Sequence, residues 1–387
     1  MKNTGKIAWI CGAAAVLIGT AVLLMLSSSD RKDGKTQIVI GTYGEHLYRY
    51  SFDPQTLEFE FQSKAQTRNP SYVLSSTAND IFAANEAGKD SGASSFSEKG
   101  GRISSTAGPL QTGADPCFLM LFDEGRYLLT ADYSGGSISV FPISEGRLQE
   151  RSDLLEFTGS GPVEGRQESS HIHQIRQVPQ TEGIAGEWLL ASDLGADAIR
   201  LIFVSRVSSM KHGESIMPVH VSDIPCPAGS GPRHMEFSKD GRILYCIAEL
   251  SGEVLAYDIT PSDGAPSFTL RQRIQADEVN AGGSADIHIH PSGRWLYTSH
   301  RLDNDGIAIF SIAEDGTLEK IGYTRTARHP RNFMITPDGS HLIVACRDDR
   351  LIQVFSIGSD GLLTLTPSVL QFESDMPSSV TSVPEDL

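Results

Sequence analysis

Apolar residues after residue 30 fall into short alternating or continuous runs and do not follow helical spacing. They recur as a strand–turn–strand–turn–strand unit, which is clearest at residues 115–143, 231–259, 285–312 and 329–357. The runs are rich in β-branched and aromatic residues, which favour strands, and the first turn holds a glycine, which suits positive φ. The turn glycines are Gly125, Gly241, Gly293 and Gly339. The pattern predicts an all-β protein.

Further copies of this unit fill most of the remaining chain. Two less regular copies begin near residues 70 and 171, and the start of the chain supplies QIVIGTY and HLYRYSF. Seven copies, 44 to 59 residues apart, predict a seven-bladed β-propeller. The first copy lacks an inner strand. We expect MPSSVTSV at residues 376–383 to supply it, because a C-terminal strand in the first blade closes the ring and removes open sheet edges.

Three segments depart from the repeat. Residues 89–113 are rich in glycine and serine, so we expect a shortened second blade with weak outer strands. Residues 160–168 and 210–230 are expected to be loops between blades. Because a closed ring leaves no strand edge free for pairing, we expect a monomer.

The N-terminal segment has a different character. Residues 7–26 form a run of 20 residues without a charge, and at ~1.5 Å per residue this length spans the ~30 Å core of a bilayer. We predict a hydrophobic helix in residues 1–29, acting as a membrane anchor or signal segment, then a linker at 30–36 and the propeller at 37–387. The body is expected to be exported, on the periplasmic side if the source is bacterial. A body on the cytoplasmic face is the alternative.

Composition narrows the possible partners. Lys and Arg number 32 against 48 Asp and Glu, giving a net charge of −16 and no basic stripe, which argues against nucleic acid. The five cysteines form no CxxC pair or zinc spacing, so buried or free thiols are expected.

Charged residues recur where one face of the propeller collects them. In a blade the first strand runs down the channel and the second runs back, so the start of one and the end of the other share a face. The ring predicted from this spacing holds His173, Asp193, Arg233, His234, Glu249, Asp286, Arg301, Arg331 and Arg347, with Glu86 and Asp132 beyond. Such a ring is either a rim of compensating ion pairs or an anion site, since arginines bind carboxylate or phosphate bidentately. Four arginines in an acidic protein favour the anion site.

Two His-x-His pairs raise the question of a metal. His171 with His173, and His288 with His290, each have side chains on one side of a strand, which makes metal binding geometrically possible. No third ligand is spaced to join either pair. We therefore predict no metal site and no cofactor.

Several segments are similar to one known family. GSGPRHMEF, YCIAELSGEVLAYDI, SADIHIHPSGRWLYTSHR and HPRNFMITPDGSHLIVACRDDRLIQVFSI resemble the seven-bladed lactonase family, which contains propeller-type 6-phosphogluconolactonases and fungal carboxy-cis,cis-muconate cyclases. The resemblance covers residues 37–383 and implies a lactone hydrolase without a metal. The family's catalytic His, two Arg and Glu fall on His173, Arg233, Arg301 and Glu249. The second blade and the N-terminal segment depart from the family pattern.

The expected function is hydrolysis of a small anionic sugar lactone, as in a 6-phosphogluconolactonase. Glu249 is the candidate base and His173 the proton donor or alternative base, while Arg233 and Arg301 hold the oxyanion or a substrate carboxylate. The expected substrate-binding residues are His234, Asp193, Asp286, Arg331 and Arg347. A muconate-type lactonising cyclase and a non-enzymatic binding propeller at the envelope are the alternatives.

Overall fold

The computed structural model describes residues 34–209 and 213–384. The predicted anchor or signal helix of residues 1–29 lies outside them. Within these ranges the chain forms seven antiparallel sheets and three 3₁₀ turns, at Gly88–Asp90, Leu194–Ala196 and Leu302–Asn304. No helix in the described part is long and apolar enough to cross a membrane. The prediction of an all-β, seven-bladed propeller is confirmed.

The blades follow one another along the chain. The first contains β1 (Thr36–Tyr43), β2 (His46–Asp53) and β3 (Glu58–Gln66). The second contains β4 (Pro70–Ser75), β5 (Asp80–Asn85), β6 (Gly92–Lys99) and β7 (Arg102–Gln111). The third contains β8 (Pro116–Phe122), β9 (Tyr127–Asp132), β10 (Ser137–Ser144), β11 (Arg147–Leu148) and β12 (Asp153–Glu156). The fourth contains β13 (Ile172–Gln177), β14 (Trp188–Asp193), β15 (Ala198–Ser209) and β16 (Gly213–Pro225).

Three more blades complete the set. The fifth contains β17 (Pro232–Phe237), β18 (Ile243–Ala248), β19 (Glu253–Ser262) and β20 (Ala265–Gln275). The sixth contains β21 (Ser284–Ile289), β22 (Trp295–His300), β23 (Gly306–Ile312) and β24 (Leu318–Arg325). The seventh contains β25 (Pro330–Ile335), β26 (His341–Cys346), β27 (Leu351–Ile357) and β28 (Leu363–Gln371). The last strand, β29 (Met376–Ser382), pairs with β1 as the inner strand of the first blade.

The hydrophobic core lies between neighbouring blades. Each junction holds its own cluster of buried apolar side chains. The second strands β9, β14, β18, β22 and β26 are buried along their whole length. Both faces of these strands pack on other sheets, which explains why their sequences are continuous apolar runs.

Turn glycines and thiols agree with the sequence. Gly125, Gly241, Gly293 and Gly339 have φ of 81°, 70°, 76° and 73°, a region that L side chains rarely adopt. The described cysteines, which are Cys117, Cys226, Cys246 and Cys346, are free thiols and none is exposed.

Two expectations about irregular segments are wrong. The second blade is not shortened: its outer strands β6 and β7 have 8 and 10 residues, although their register shifts twice. Polar side chains bond one another inside it, since Ser94 donates to Asn85 and Ser95 bonds Thr106 at 2.8 Å. The stretch expected as a loop at 210–230 contains β16, which pairs with β15 along its whole length. Its polar and proline-containing sequence hid a strand that is exposed at most positions from Met217 to Asp223.

Candidate active site

The inner strands share a backbone irregularity near their first residue. In the fifth blade Pro232 pairs with Ala248 and His234 with Ile247, so Arg233 is an extra residue. In the sixth blade Ala285 and Asp286 together stand opposite one residue of the second strand. In the other blades the corresponding extra residues are Ser71, Cys117, His173, Arg331 and Ser378. Such a β-bulge re-aims a side chain. The pKa of His173 is lowered by burial and by the charges of Arg233 and Arg331, the bulged residues of two other blades.

Glu249 is the centre of a buried charge cluster at one mouth of the channel. Its Oε2 lies 2.7 Å from Arg233 Nε and 3.1 Å from Arg301, while its Oε1 lies 2.6 Å from Arg166. Burial alone would raise the pKa of Glu249, but Arg301, Arg233 and Arg166 outweigh it and lower the pKa to about 2. The carboxylate is therefore ionised, and its contacts fix the orientation of the guanidinium groups.

Two of the arginines, Arg301 and Arg233, are short of compensating charge. Burial and the neighbouring cations Arg233, Arg331 and Arg347 lower the pKa of Arg301 to about 9, although Glu249 opposes this. The pKa of Arg233 is also lowered, mainly by burial. The pKa of Arg331 is raised instead, because its burial is outweighed by Tyr43, Glu86 and Glu249. The lowered pKa values of Arg301 and Arg233 favour binding of a further anion beside these two groups.

Arg331 contributes a cation with open hydrogen-bonding capacity. Its guanidinium lies over the ring of Tyr43, 5.3 Å from the centroid, and Tyr43 donates a hydrogen bond to Glu86 at 2.7 Å. Among the described residues Arg331 has no ion pair. Arg347 differs, since its Nε lies 2.7 Å from Asp348 at the half-exposed rim.

His173 lies beside this cluster in a largely buried position. Its Nδ1 is 3.7 Å from Cys117 Sγ, and its ring packs edge-on against Tyr133 with centroids 5.6 Å apart. No carboxylate of the described chain forms an ion pair with it. The low pKa therefore keeps His173 neutral near pH 7.

A second histidine lies one layer deeper. His234 Nδ1 is 2.7 Å from Asp286 Oδ1, and the other oxygen of Asp286 is 3.1 Å from His288 Nε2. Asp286 also accepts hydrogen bonds from the Asn332 amide and the Phe333 N–H. These contacts hold the pKa of Asp286 well below its usual value despite burial. Asp286 thus joins the fifth, sixth and seventh blades below the mouth.

Asp193 is placed differently from the other predicted ring members. It pairs with Ile172 within the sheet, one residue before the position that Glu249 occupies in its own blade. Its carboxylate is buried and bonds Ser170, the His171 N–H and Arg200, which is 2.6 Å away. The spacing count is offset by one residue here, because the turn between β13 and β14 is longer than its counterpart between β17 and β18 and its length could not be counted from the other blades.

The sequence pattern did not indicate some members of the site. Tyr133, which follows Asp132, and Tyr43 take ring positions, and His329 lies 3.3 Å from Arg301. Arg166 comes from a stretch that was expected to be a loop and carries no repeat spacing. Tyr133 could have been placed only from the strand register of its blade, and no feature of the sequence indicated Arg166.

Within the part of the chain that the structure describes, no group of three or more His, Cys, Asp or Glu side chains is arranged so that it could hold a metal ion. His288 bonds Asp286, while His290 Nε2 lies 2.9 Å from the Gly339 carbonyl.

Comparison with known proteins agrees with this architecture. A family model described as "Lactonase, 7-bladed beta-propeller" matches residues 37–381. A 6-phosphogluconolactonase of Formosa agariphila is 35% identical over 66% of this chain and 72% of its own. A putative 6-phosphogluconolactonase structure from Bacteroides fragilis is 37% identical, with a TM-score of 0.82, over 92% of this chain and 100% of its own. The periplasmic gluconolactonase of Pseudomonas aeruginosa is 26% identical, with a TM-score of 0.78, over 91% of this chain and 100% of its own.

The family match spans nearly the whole described region and includes every blade, the bulged inner strands and the buried arginine cluster. The chain belongs to the seven-bladed β-propeller lactonase family.

Proposed function

We propose that this protein hydrolyses an anionic sugar lactone at the channel mouth. The observation that carries the proposal is the buried arginine cluster, in which Glu249 compensates only part of the charge of Arg233, Arg301 and Arg166. The names of the relatives, 6-phosphogluconolactonase and gluconolactonase, support the same substrate class.

The chemistry follows from the placement of donors and acids. Water attack on a lactone carbonyl produces a tetrahedral oxyanion, and donors that are already oriented stabilise it without reorganisation. Arg233 and Arg301 are such donors, because Glu249 holds both of them. With its pKa at about 2, Glu249 is a poor base at neutral pH. These contacts support a positioning role for Glu249 and leave proton transfer to a histidine.

The remote part of the substrate is assigned to Arg331. This guanidinium has no ion pair in the described ranges and faces the same mouth as Arg233. It would bind a phosphate or a second carboxylate. Arg347 would line the same region and His234 the reaction centre, whereas the internal contacts of Asp193 support a positioning role for it.

Location bears on the substrate. We propose that residues 1–29 export a monomeric body, and the periplasmic gluconolactonase of Pseudomonas aeruginosa is a relative with such a location in its name. An exported body favours a lactone without phosphate, whereas a cytoplasmic body favours 6-phosphogluconolactone. Protease accessibility in intact cells measures the location directly. A kcat/KM preference below about threefold for the 6-phosphate would show that no dedicated phosphate contact exists, because a hydrogen bond to a charged group is worth roughly 1.5–3 kcal/mol.

The test of the activity compares Arg233→Ala with Arg273→Ala. Arg273 is half exposed on an outer strand and pairs with Glu253, so it serves as a matched control. Hydrolysis of δ-gluconolactone and its 6-phosphate is measured above the spontaneous rate. We expect Arg233→Ala to lose ~10²–10³-fold in kcat/KM, the usual cost of one oxyanion donor. A folded Arg233→Ala protein with wild-type turnover would contradict the assignment.

Assays on the same purified protein distinguish two other functions from lactone hydrolysis. A lactonising cyclase would form the ring C–O bond from a muconate-type dicarboxylic acid, and this substrate is assayed in parallel. A binding propeller would turn over neither substrate class.

A further inference from the structure

His234 carries a buried nitrogen that nothing in the described chain satisfies. Asp286 is ionised and accepts the Nδ1 proton of His234 at 2.7 Å, which leaves Nε2 as the lone-pair nitrogen. Nε2 is inaccessible to solvent and has no hydrogen-bond partner among the described residues. Buried polar atoms without partners are rare in folded proteins. This nitrogen is therefore expected to gain a donor when substrate and water bind and the side chains that cover it move apart.

The position of His234 identifies that donor. His234 directly follows the bulged Arg233, and its ring centroid lies 5.1 Å from that of His173 and 5.5 Å from that of Phe118. It is thus next in sequence to the residue whose guanidinium would hold the oxyanion, and its ring lies close to that of His173. We propose that His234, oriented by Asp286, binds the attacking water through Nε2 and takes its proton during lactone opening. This inference rests on the proposed function.

The proton balance of the step is closed. Water donates a proton to His234 Nε2 while its oxygen forms a bond to the lactone carbonyl carbon. The oxyanion that results is held by Arg233, and its collapse breaks the ring C–O bond. The leaving alkoxide takes the proton back from His234, which regenerates the neutral imidazole. Asp286 stays ionised throughout and stabilises the transient imidazolium, as a buried carboxylate does for a catalytic histidine.

The other candidates are less suited to this step. Glu249 is already bonded to three arginines, and His173 has no carboxylate to fix its tautomer or stabilise its charged form. The charged or titratable groups facing His234 are His173 from β13, Arg233 on its own strand, and Asp286 and His288 from β21. Burial and Arg233 outweigh Asp286 and lower the pKa of His234 to about 4, so it is a neutral base at pH 7.

A purely structural role is the competing explanation, because Asp286 also ties blades together. Gln174 offers a matched control: its Oε1 accepts the Met235 N–H and so links two blades at the same depth. We expect His234→Ala to lower kcat by ~10²–10⁴-fold with KM changed less than about threefold, the usual scale for losing a general base. Added imidazole should restore part of kcat in His234→Ala, and Gln174→Ala should lower the melting temperature without a comparable loss of kcat.

The pH profile of the wild-type enzyme is a test that does not depend on whether a variant folds. Because the base must be unprotonated, kcat/KM should fall as the pH drops through about 4. The inference would be overturned by a kcat/KM profile that is flat down to pH 3, or by a folded His234→Ala enzyme with normal kcat. It would also be overturned if imidazole did not restore the kcat of His234→Ala and Gln174→Ala lost kcat to the same extent. Failure of the wild type to open any lactone would instead overturn the proposed function.

Discussion

Replacing Glu249 by glutamine should destabilise the protein in a pH-dependent way. The variant keeps the size of the side chain and removes the charge that compensates Arg233, Arg301 and Arg166. In the folded protein the pKa of Glu249 falls from 4.5 to about 2. A depressed carboxyl pKa stabilises the fold above pH 4.5, and this stabilisation is lost as the pH falls from 4.5 to about 2.

The size of the effect follows from the shift. One pKa unit corresponds to about 1.4 kcal/mol, so Glu249→Gln should lower the free energy of unfolding by about 3 kcal/mol at pH 7. The same linkage leaves a difference of about 2 kcal/mol at pH 3.5. The difference should therefore shrink as the medium becomes more acidic.

Urea unfolding of wild type and variant at both pH values measures this. Glu253→Gln is the control, because it removes a carboxylate whose partner Arg273 is half exposed, and such pairs contribute at most about 1 kcal/mol. Equal stability of Glu249→Gln and wild type at pH 7, or a difference that grows towards low pH, would refute the reasoning.

Three further outcomes are expected. Arg331→Gln should raise KM for the 6-phosphate lactone about 10- to 100-fold with little change in kcat. Steady-state kinetics on the lactones with and without phosphate measure this, and an equal rise of KM for the two substrates would contradict a remote anion subsite. Asp193→Asn should lower stability by about 3 kcal/mol by leaving Arg200 short of its buried partner, with kcat/KM within about threefold, and a larger kinetic loss would indicate substrate contact. Deleting residues 376–387 should lower the unfolding free energy by more than about 4 kcal/mol, because β1 loses its inner partner; an unchanged urea midpoint relative to a chain ending at residue 384 would be the contrary result.

Much of the fold could be predicted from the sequence because burial on both faces leaves a clear signature. The continuous apolar run of β18 and the positive-φ Gly241 both repeat from blade to blade. The second blade was misjudged for the opposite reason, since paired hydroxyls such as Ser95 with Thr106 carry no hydrophobic signal.

The site was predictable only where the number of residues between the inner strand and the end of the second strand is the same from blade to blade. Arg233 and Glu249 lie 16 positions apart across a regular turn, and the structure pairs them at 2.7 Å. The longer turn between β13 and β14 changes that count and misplaced Asp193. Counting from Pro116, one residue before the bulged Cys117, hid Tyr133. Side chains from irregular segments, such as Arg166, have no register to be counted from.

The bulges at the channel mouth also separate chemistry from architecture. Each extra residue stands outside the pairing of its sheet, so its side chain can change while the neighbouring strand pairs stay as they are. The large bulged side chains belong to blades four, five and seven, and the small ones, Ser378, Ser71 and Cys117, belong to the first three. The bulged positions thus differ across the mouth, with long charged or aromatic side chains on one side and small ones on the other. A new lactone specificity could evolve by substitution of the small residues while the arginines opposite keep their geometry.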